Sequence, residues 1–173
     1  LLSSYFRLPA NELGQRPIGI DTEFLPEKKK RLLTISLYHP VSDVCVVIDV
    51  RNLSDAPSML QYLLNSPSYI KCGVGTINDA KLIDEYFSSN TYGILDGSVL
   101  GPLAAIRTPN LEHLSSYSDF FLKKASLNLP EYDEEFDIKF LRYNVQDAIA
   151  SYKVYEVICT LFGNQVKPKH QAV

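Results

Sequence analysis

The run Pro17-Ile-Gly-Ile-Asp21-Thr-Glu23-Phe24 constrains this chain most, because an apolar stretch of that length reads as a buried strand and it ends in two acids. Side chains at i and i+2 of a strand point the same way, so Asp21 and Glu23 emerge together beside a hydrophobic core. Like charges that close raise one another's pKa unless something positive intervenes. Hard divalent cations such as Mg²⁺ favour such oxygen ligands and are usually held by one or two carboxylates. The segment therefore offers half of a metal site. The alternative is that two acids at a strand end simply face solvent.

At 173 residues the chain suits one domain with a real core. Hydrophobic residues make up 46% and charged residues 21%, the balance of a soluble globule. No apolar run approaches the roughly 20 residues of a membrane helix, and no leader-like segment opens the sequence. An intracellular protein is expected. Cys45, Cys72 and Cys159 are odd in number, far apart and set in apolar segments, so reduced core cysteines are expected rather than a disulfide framework or a zinc site. The opening Leu-Leu-Ser and the polar tail at 163–173 suggest a domain, core about 17–162, cut from something longer. The net charge of −3 argues against a grip on long nucleic acid through many phosphate contacts. It leaves room for an enzyme that holds a few nucleotides, with metal ions supplying positive charge at the phosphate.

Three strand-like runs come first, Ile18 to Phe24, Leu32 to Tyr38 and Val44 to Val50, and their short links predict an antiparallel meander. Ser54 or Asp55 is placed to cap a helix carrying Met59, Leu60, Leu63 and Leu64, closed by Pro67. A strand from Tyr69 to Val74 then leads into a helix starting near Asn78 or Asp79, and a short strand at Ile94 and Leu95 ends at Asp96. Helices are expected over Ser98 to Ile106, Asn110 to Lys124 and Asp137 to Phe162. Strands leading, then βα alternation, then helices, predicts an α/β fold with a mixed sheet covered by helices. The acidic run Glu131 to Glu135 reads as a solvated loop feeding a helix N-terminus. Lys28-Lys-Lys-Arg31 is a basic turn that is either solvated or close enough to the acidic strand to meet a phosphate backbone.

Two further segments carry acids. In Lys71-Cys-Gly-Val-Gly-Thr-Ile-Asn-Asp79 a strand ends in glycines that allow close backbone approach, and Asp79 opens the next helix, where a helix cap is the ordinary explanation. In Tyr143-Asn-Val-Gln-Asp147 the first and last residues share a helix face about 40° apart, off an apolar stripe of Leu141, Val145, Ala148, Tyr152 and Tyr155. An Asp there is either solvated or functional.

Taken together, Asp21-x-Glu23 at a strand end, Asp79 at a helix start after Gly73-Val-Gly75, and Tyr143-x-x-x-Asp147 on a late helix resemble the DEDD superfamily of 3′–5′ exonucleases. The Gly-Val-Gly is similar to the branch that contains the Werner-syndrome exonuclease domain. Members with His carry it five positions before the last Asp, where this chain has Arg142, so the resemblance is to the Tyr-type branch shared with ribonuclease D. It implies a ribonuclease-H-like sheet and hydrolysis of phosphodiesters from a single-stranded 3′ end of RNA or DNA, with two ions, Mg²⁺ or Mn²⁺. It further implies that Asp21 bridges the ions, that Glu23 and Asp147 complete the site that activates water, and that Asp79 holds the second ion largely through water. Tyr143, with an ordinary pKa near 10, is a poor base and is expected to orient the attacking water. Phe24, Ile77 and Asn78 are placed to meet the terminal base or sugar, although core packing and helix capping explain them equally. Relatives often carry a Ser-Asn-Trp-like stretch before the third motif. Here Ser126-Leu-Asn-Leu-Pro130 stands there, and the chain has no Trp. Two rival functions remain, a silent nucleic-acid-binding or scaffold module and a hydrolase of small nucleotides.

Overall fold

The computed structural model describes residues 14–26, 31–107, 109–122 and 129–162. Lys28 to Lys30, Lys124, Ser126 to Asn128 and the tail from 163 lie outside them. Strands β1 (Arg16–Leu25), β2 (Arg31–His39) and β3 (Val44–Asp49) form the expected meander. They are followed by α1 (Ser58–Asn65), β4 (Tyr69–Gly73), α2 (Thr76–Phe87), β5 (Ile94–Asp96), α3 (Gly97–Leu100), α4 (Leu111–Ser116) and the long α5 (Ile138–Phe162). The sheet order is β3-β2-β1-β4-β5, with β1 antiparallel to β2 and parallel to β4, and β5 parallel to β4. This is the mixed, ribonuclease-H-like arrangement that the sequence predicts. No helix among the described residues is long and apolar enough to cross a membrane.

Strand alternation divides the core. Ile18, Ile20, Ile35 and Leu37 join Leu60, Leu63, Leu64, Leu82 and Ile83 in the cluster beneath α1 and α2. On the other face, Ile70, Cys72 and Leu95 pack with Leu114, Ala150, Val154 and Ile158 of α4 and α5. Gly19 is where α5 crosses β1: a Cβ on Gly19 would lie 2.0 Å from the Ala148 carbonyl oxygen and 2.9 Å from the Tyr152 amide nitrogen. That contact fixes the height of α5 over the acidic strand end.

Several helix boundaries differ from expectation, each for a local reason. Neither Ser54 nor Asp55 caps α1; Ser54 donates to Asp55 at 2.9 Å, and the helix starts after Pro57, since the residue before a proline is driven to extended backbone. Helix α2 starts at Thr76, two to three residues early, because Gly75 takes a left-handed φ of +80° and a distant carboxylate, that of Asp96, accepts the Ile77 amide at 3.0 Å. The helix expected over Ser98 to Ile106 is split into α3 and a 3-10 turn at Pro102–Ala104, and Ala105 leaves it with φ +61°. Helix α4 ends at Ser116 rather than continuing toward Lys124. The hydroxyls of Ser115, Ser116 and Ser118 bond back to carbonyls three residues earlier, and Asp119 has φ +60°, a competition with the helix ladder that these side chains favour.

Asp137 caps α5 as a carboxylate should, accepting the Phe140 amide at 2.7 Å. The buried stripe of α5 is Phe140, Asn144, Asp147, Ala148, Ser151, Val154 and Ile158. Leu141, Val145, Tyr152 and Tyr155 of the expected stripe are half-buried at its flank. The acidic run is exposed but pinned rather than merely solvated. Arg51 donates to the carbonyls of Tyr132 at 2.8 Å and Glu134 at 2.5 Å, and the Tyr132 hydroxyl donates to the Arg51 carbonyl at 2.6 Å.

Lys71 is fully buried in β4, and its Nζ donates to the carbonyls of Leu63 (2.8 Å) and Ser66 (3.0 Å) at the end of α1 and of Tyr69 (2.8 Å) at the start of β4. Burial pushes its pKa down to about 7, against the pull of Cys72 and Asp84. Below that pH the ammonium form supplies three N–H donors to the three acceptors, and above it the neutral amine has only two. Lys71→Met should cost about 2–5 kcal/mol, since it strands buried carbonyls. A folded pKa below the unfolded value near 10.4 means that the unfolded chain binds more protons, so the native protein's stability relative to Lys71→Met should rise as pH increases from about 7 to about 10. Denaturant melts of both proteins across that range check it; a flat difference means that the three carbonyls keep Lys71 charged throughout.

Candidate active site

Asp21 and Glu23 project from the C-terminal end of β1 toward α5, and α5 returns Asp147 to meet them. Ligand oxygens of the three carboxylates lie within 4.8 Å of one another. Asp147 is only 3% exposed, so the option of a solvated acid on a helix surface does not hold for it. Pairing between β1 and β2 shifts register after Glu23, where Leu33 is the extra residue between Thr34 and Leu32. Such a bulge twists a strand locally and re-aims its side chains. Here it falls at the second acid.

Tyr143 stands one turn before Asp147, close enough for that carboxylate to act on its hydroxyl. Burial first, then the charges of Asp147 and Glu23, drive the Tyr143 pKa well above the ordinary value. In the ion-free centre Tyr143 therefore keeps its proton.

Asp79 is not part of the three-carboxylate cluster. It lies in the first turn of α2, and its Oδ1 accepts the Thr22 hydroxyl at 2.7 Å. Thr22 faces the opposite side of β1 from its two acidic neighbours, which brings Asp79 up to the same strand end from the α2 side. Gly75, not Asp79, is the N-cap residue of α2. Of the residues expected to meet substrate, Phe24 is half-buried against the α1/α2 core cluster, Ile77 is half-buried, and Asn78 is exposed at the start of α2.

Sequence reading missed the side chains that support these groups. Asp96, 5% exposed, accepts the Gly75 amide at 2.9 Å, the Ile77 amide at 3.0 Å, and both the amide (2.9 Å) and hydroxyl (2.7 Å) of Ser98. One carboxylate so ties the turn leading to Asp79 to the end of β5. Its only sequence signal was an acid at a strand end. Thr22, Thr34, Ser36 and Asn144 gave none.

The donor set fits a hard divalent cation, being all carboxylate oxygen and partly buried. Three such groups converging without a cation would repel one another. When bound, metal ions in such a centre lower the pKa of a coordinated water and stabilise charge on phosphate oxygens. The chain's own part is to hold Asp21, Glu23 and Asp147 at this spacing and to keep the Tyr143 proton beside them.

Comparison with known structures places the fold. Brucella melitensis NrnC, solved also with bound Mg²⁺ and bound to pGG, superposes with a TM-score of 0.76 at 19% identity, over 90% of this chain and 78% of that one. Escherichia coli RNase D, an exoribonuclease involved in structured RNA processing, gives 0.67 at 18% identity, over 86% of this chain and 39% of that one. The catalytic core of RRP6 from Trypanosoma brucei gives 0.72 at 15% identity, over 88% and 42% respectively. By sequence, no curated protein matches. The family model for 3′–5′ exonucleases matches residues 2–160, nearly the whole chain. With that match, this fold and the acids gathered at the end of β1, the chain belongs to the 3′–5′ exonuclease family.

Proposed function

We propose that the protein removes nucleotides stepwise from a single-stranded 3′ end of RNA or DNA, using two divalent ions, Mg²⁺ or Mn²⁺. Asp21, Glu23 and Asp147 would hold one ion and share Asp21 with the second, toward which Asp79 is the remaining acid. The observation that carries this reading is the convergence of Asp21, Glu23 and Asp147, from a strand and a helix far apart in sequence, to within 4.8 Å. A silent binding module would have no need to gather these charges. NrnC, on the same fold, was solved with Mg²⁺ and with pGG, which supports both the ion and an oligonucleotide as ligands here.

Tyr143 would orient the attacking water through its hydroxyl, since a phenol with an ordinary pKa near 10 is a poor base at neutral pH. A 5′-labelled strand should yield a ladder of shortening products with Mg²⁺ or Mn²⁺, and none with chelator. Full activity in EDTA, or cleavage inside circular strands, would overturn the reading. Parallel RNA and DNA strands decide the sugar preference, which depends on contacts to the 2′-hydroxyl.

A further inference from the structure

Beside the acids, on the same face of the sheet, lies a buried polar knot with no part in the chemistry above. Thr34 and Ser36 of β2, each 0% exposed, are the register partners of Glu23 and Asp21. Side chains directly opposed across antiparallel strands share a face, with Cβ atoms about 4.5–5.5 Å apart. Asn144, also 0% exposed, follows Tyr143 and lies three residues before Asp147. Its Oδ1 accepts the Thr34 hydroxyl at 2.5 Å and the Ser36 hydroxyl at 3.1 Å, and its Nδ2 donates to the Phe140 carbonyl at 2.9 Å.

The Phe140 bond fixes which way the amide faces, so Oδ1 is held toward β2. Each hydroxyl has a single proton, and both are spent on Asn144. Two consequences follow for the neighbouring acids. Helix α5 is docked on β2 at one rotation, which sets Tyr143 and Asp147 against Asp21 and Glu23. The protons of Thr34 and Ser36 are also turned away from carboxylates one strand over, where a hydroxyl donor would compete with a cation. An apolar trio would fill the space without the cost of burying polar groups, but it would do neither.

We infer that Asn144 is a positioning residue for the metal centre, acting through Thr34 and Ser36. The inference rests on the proposed metal-dependent function. Groups that hydrogen-bond metal ligands directly alter metal affinity by about 10–100-fold, and Asn144, acting one contact further out, belongs at the lower end of that range. Calorimetric titration of Mn²⁺ into the protein without nucleic acid should show Asn144→Leu binding about 10-fold more weakly. Thr34→Val should shift in the same direction, and Thr34→Ser, which keeps the hydroxyl, should retain native affinity. In the nuclease assay, the Mn²⁺ needed for half-maximal rate should rise by the same factor, while KM for the oligonucleotide at saturating metal stays unchanged.

A folded Asn144→Leu protein with native Mn²⁺ affinity overturns the inference. If that variant does not fold, native affinity in Thr34→Val overturns it equally. A native protein that binds no Mn²⁺ would instead sink the metal-dependent reading itself.

Discussion

Asp147→Asn is expected to abolish nuclease activity, with a fall of about 10³-fold or more, because metal-borne stabilisation of transition-state charge is worth several kcal/mol and each 1.36 kcal/mol is tenfold. The substitution keeps the size of a buried side chain and removes one of the three converging charges, so the fold should survive it. Without metal, the unfolding midpoint should match or exceed that of the native protein, since repulsion among Asp21, Glu23 and Asp147 is relieved. Mn²⁺ should then distinguish the two proteins. At 100 times Kd, a ligand that binds only the folded state stabilises it by about 2.7 kcal/mol, a gain that Asp147→Asn should lose.

Tyr143→Phe supplies the contrast. It should keep the Mn²⁺ stabilisation and lose about 10²–10⁴ in rate if Tyr143 contributes as a positioned donor. Native turnover in Tyr143→Phe removes the residue from the mechanism.

Among the described glycines, Gly19→Ala is expected to be the most damaging substitution. The added Cβ would sit 2.0 Å from the Ala148 carbonyl oxygen and 2.9 Å from the Tyr152 amide, both backbone atoms of α5. No rotamer change relieves such a clash, so α5 must lift from β1. Overpacking usually costs about 1–3 kcal/mol and occasionally more. A contact this close, with backbone as the obstacle, belongs at the upper end. The functional effect should exceed the loss of stability, because α5 carries Asp147 and Tyr143, and a misplacement of about 1 Å can cost 10²-fold in rate. Denaturant melts, Mn²⁺ titration and single-turnover rates on the same preparations test this. A Gly19→Ala protein with native stability and native metal affinity would show that α5 is not seated by this crossing.

The alternation of Ile18, Ile20 and Thr22 with Gly19, Asp21 and Glu23 is enough by itself to put two acids on one face of a buried strand. Strand periodicity is a local property, and the meander and the βα order follow from equally local turn signals. Family resemblance, itself a matter of spacing along the chain, supplies the link from Asp21 and Glu23 to Asp147, more than a hundred residues later. What local pattern does not carry is any cap or support whose partner is distant in sequence. Helix α2 begins at Thr76 because Asp96 reaches its first amides from β5. The burial of Asp147, the placing of Asp79 beside Thr22 on the far side of β1, and the locking of Asn144 onto Thr34 and Ser36 depend on where α2 and α5 pack against the sheet. Those positions are set by close packing at residues such as Gly19, whose significance lies in what crosses over it and leaves no periodic trace in the sequence.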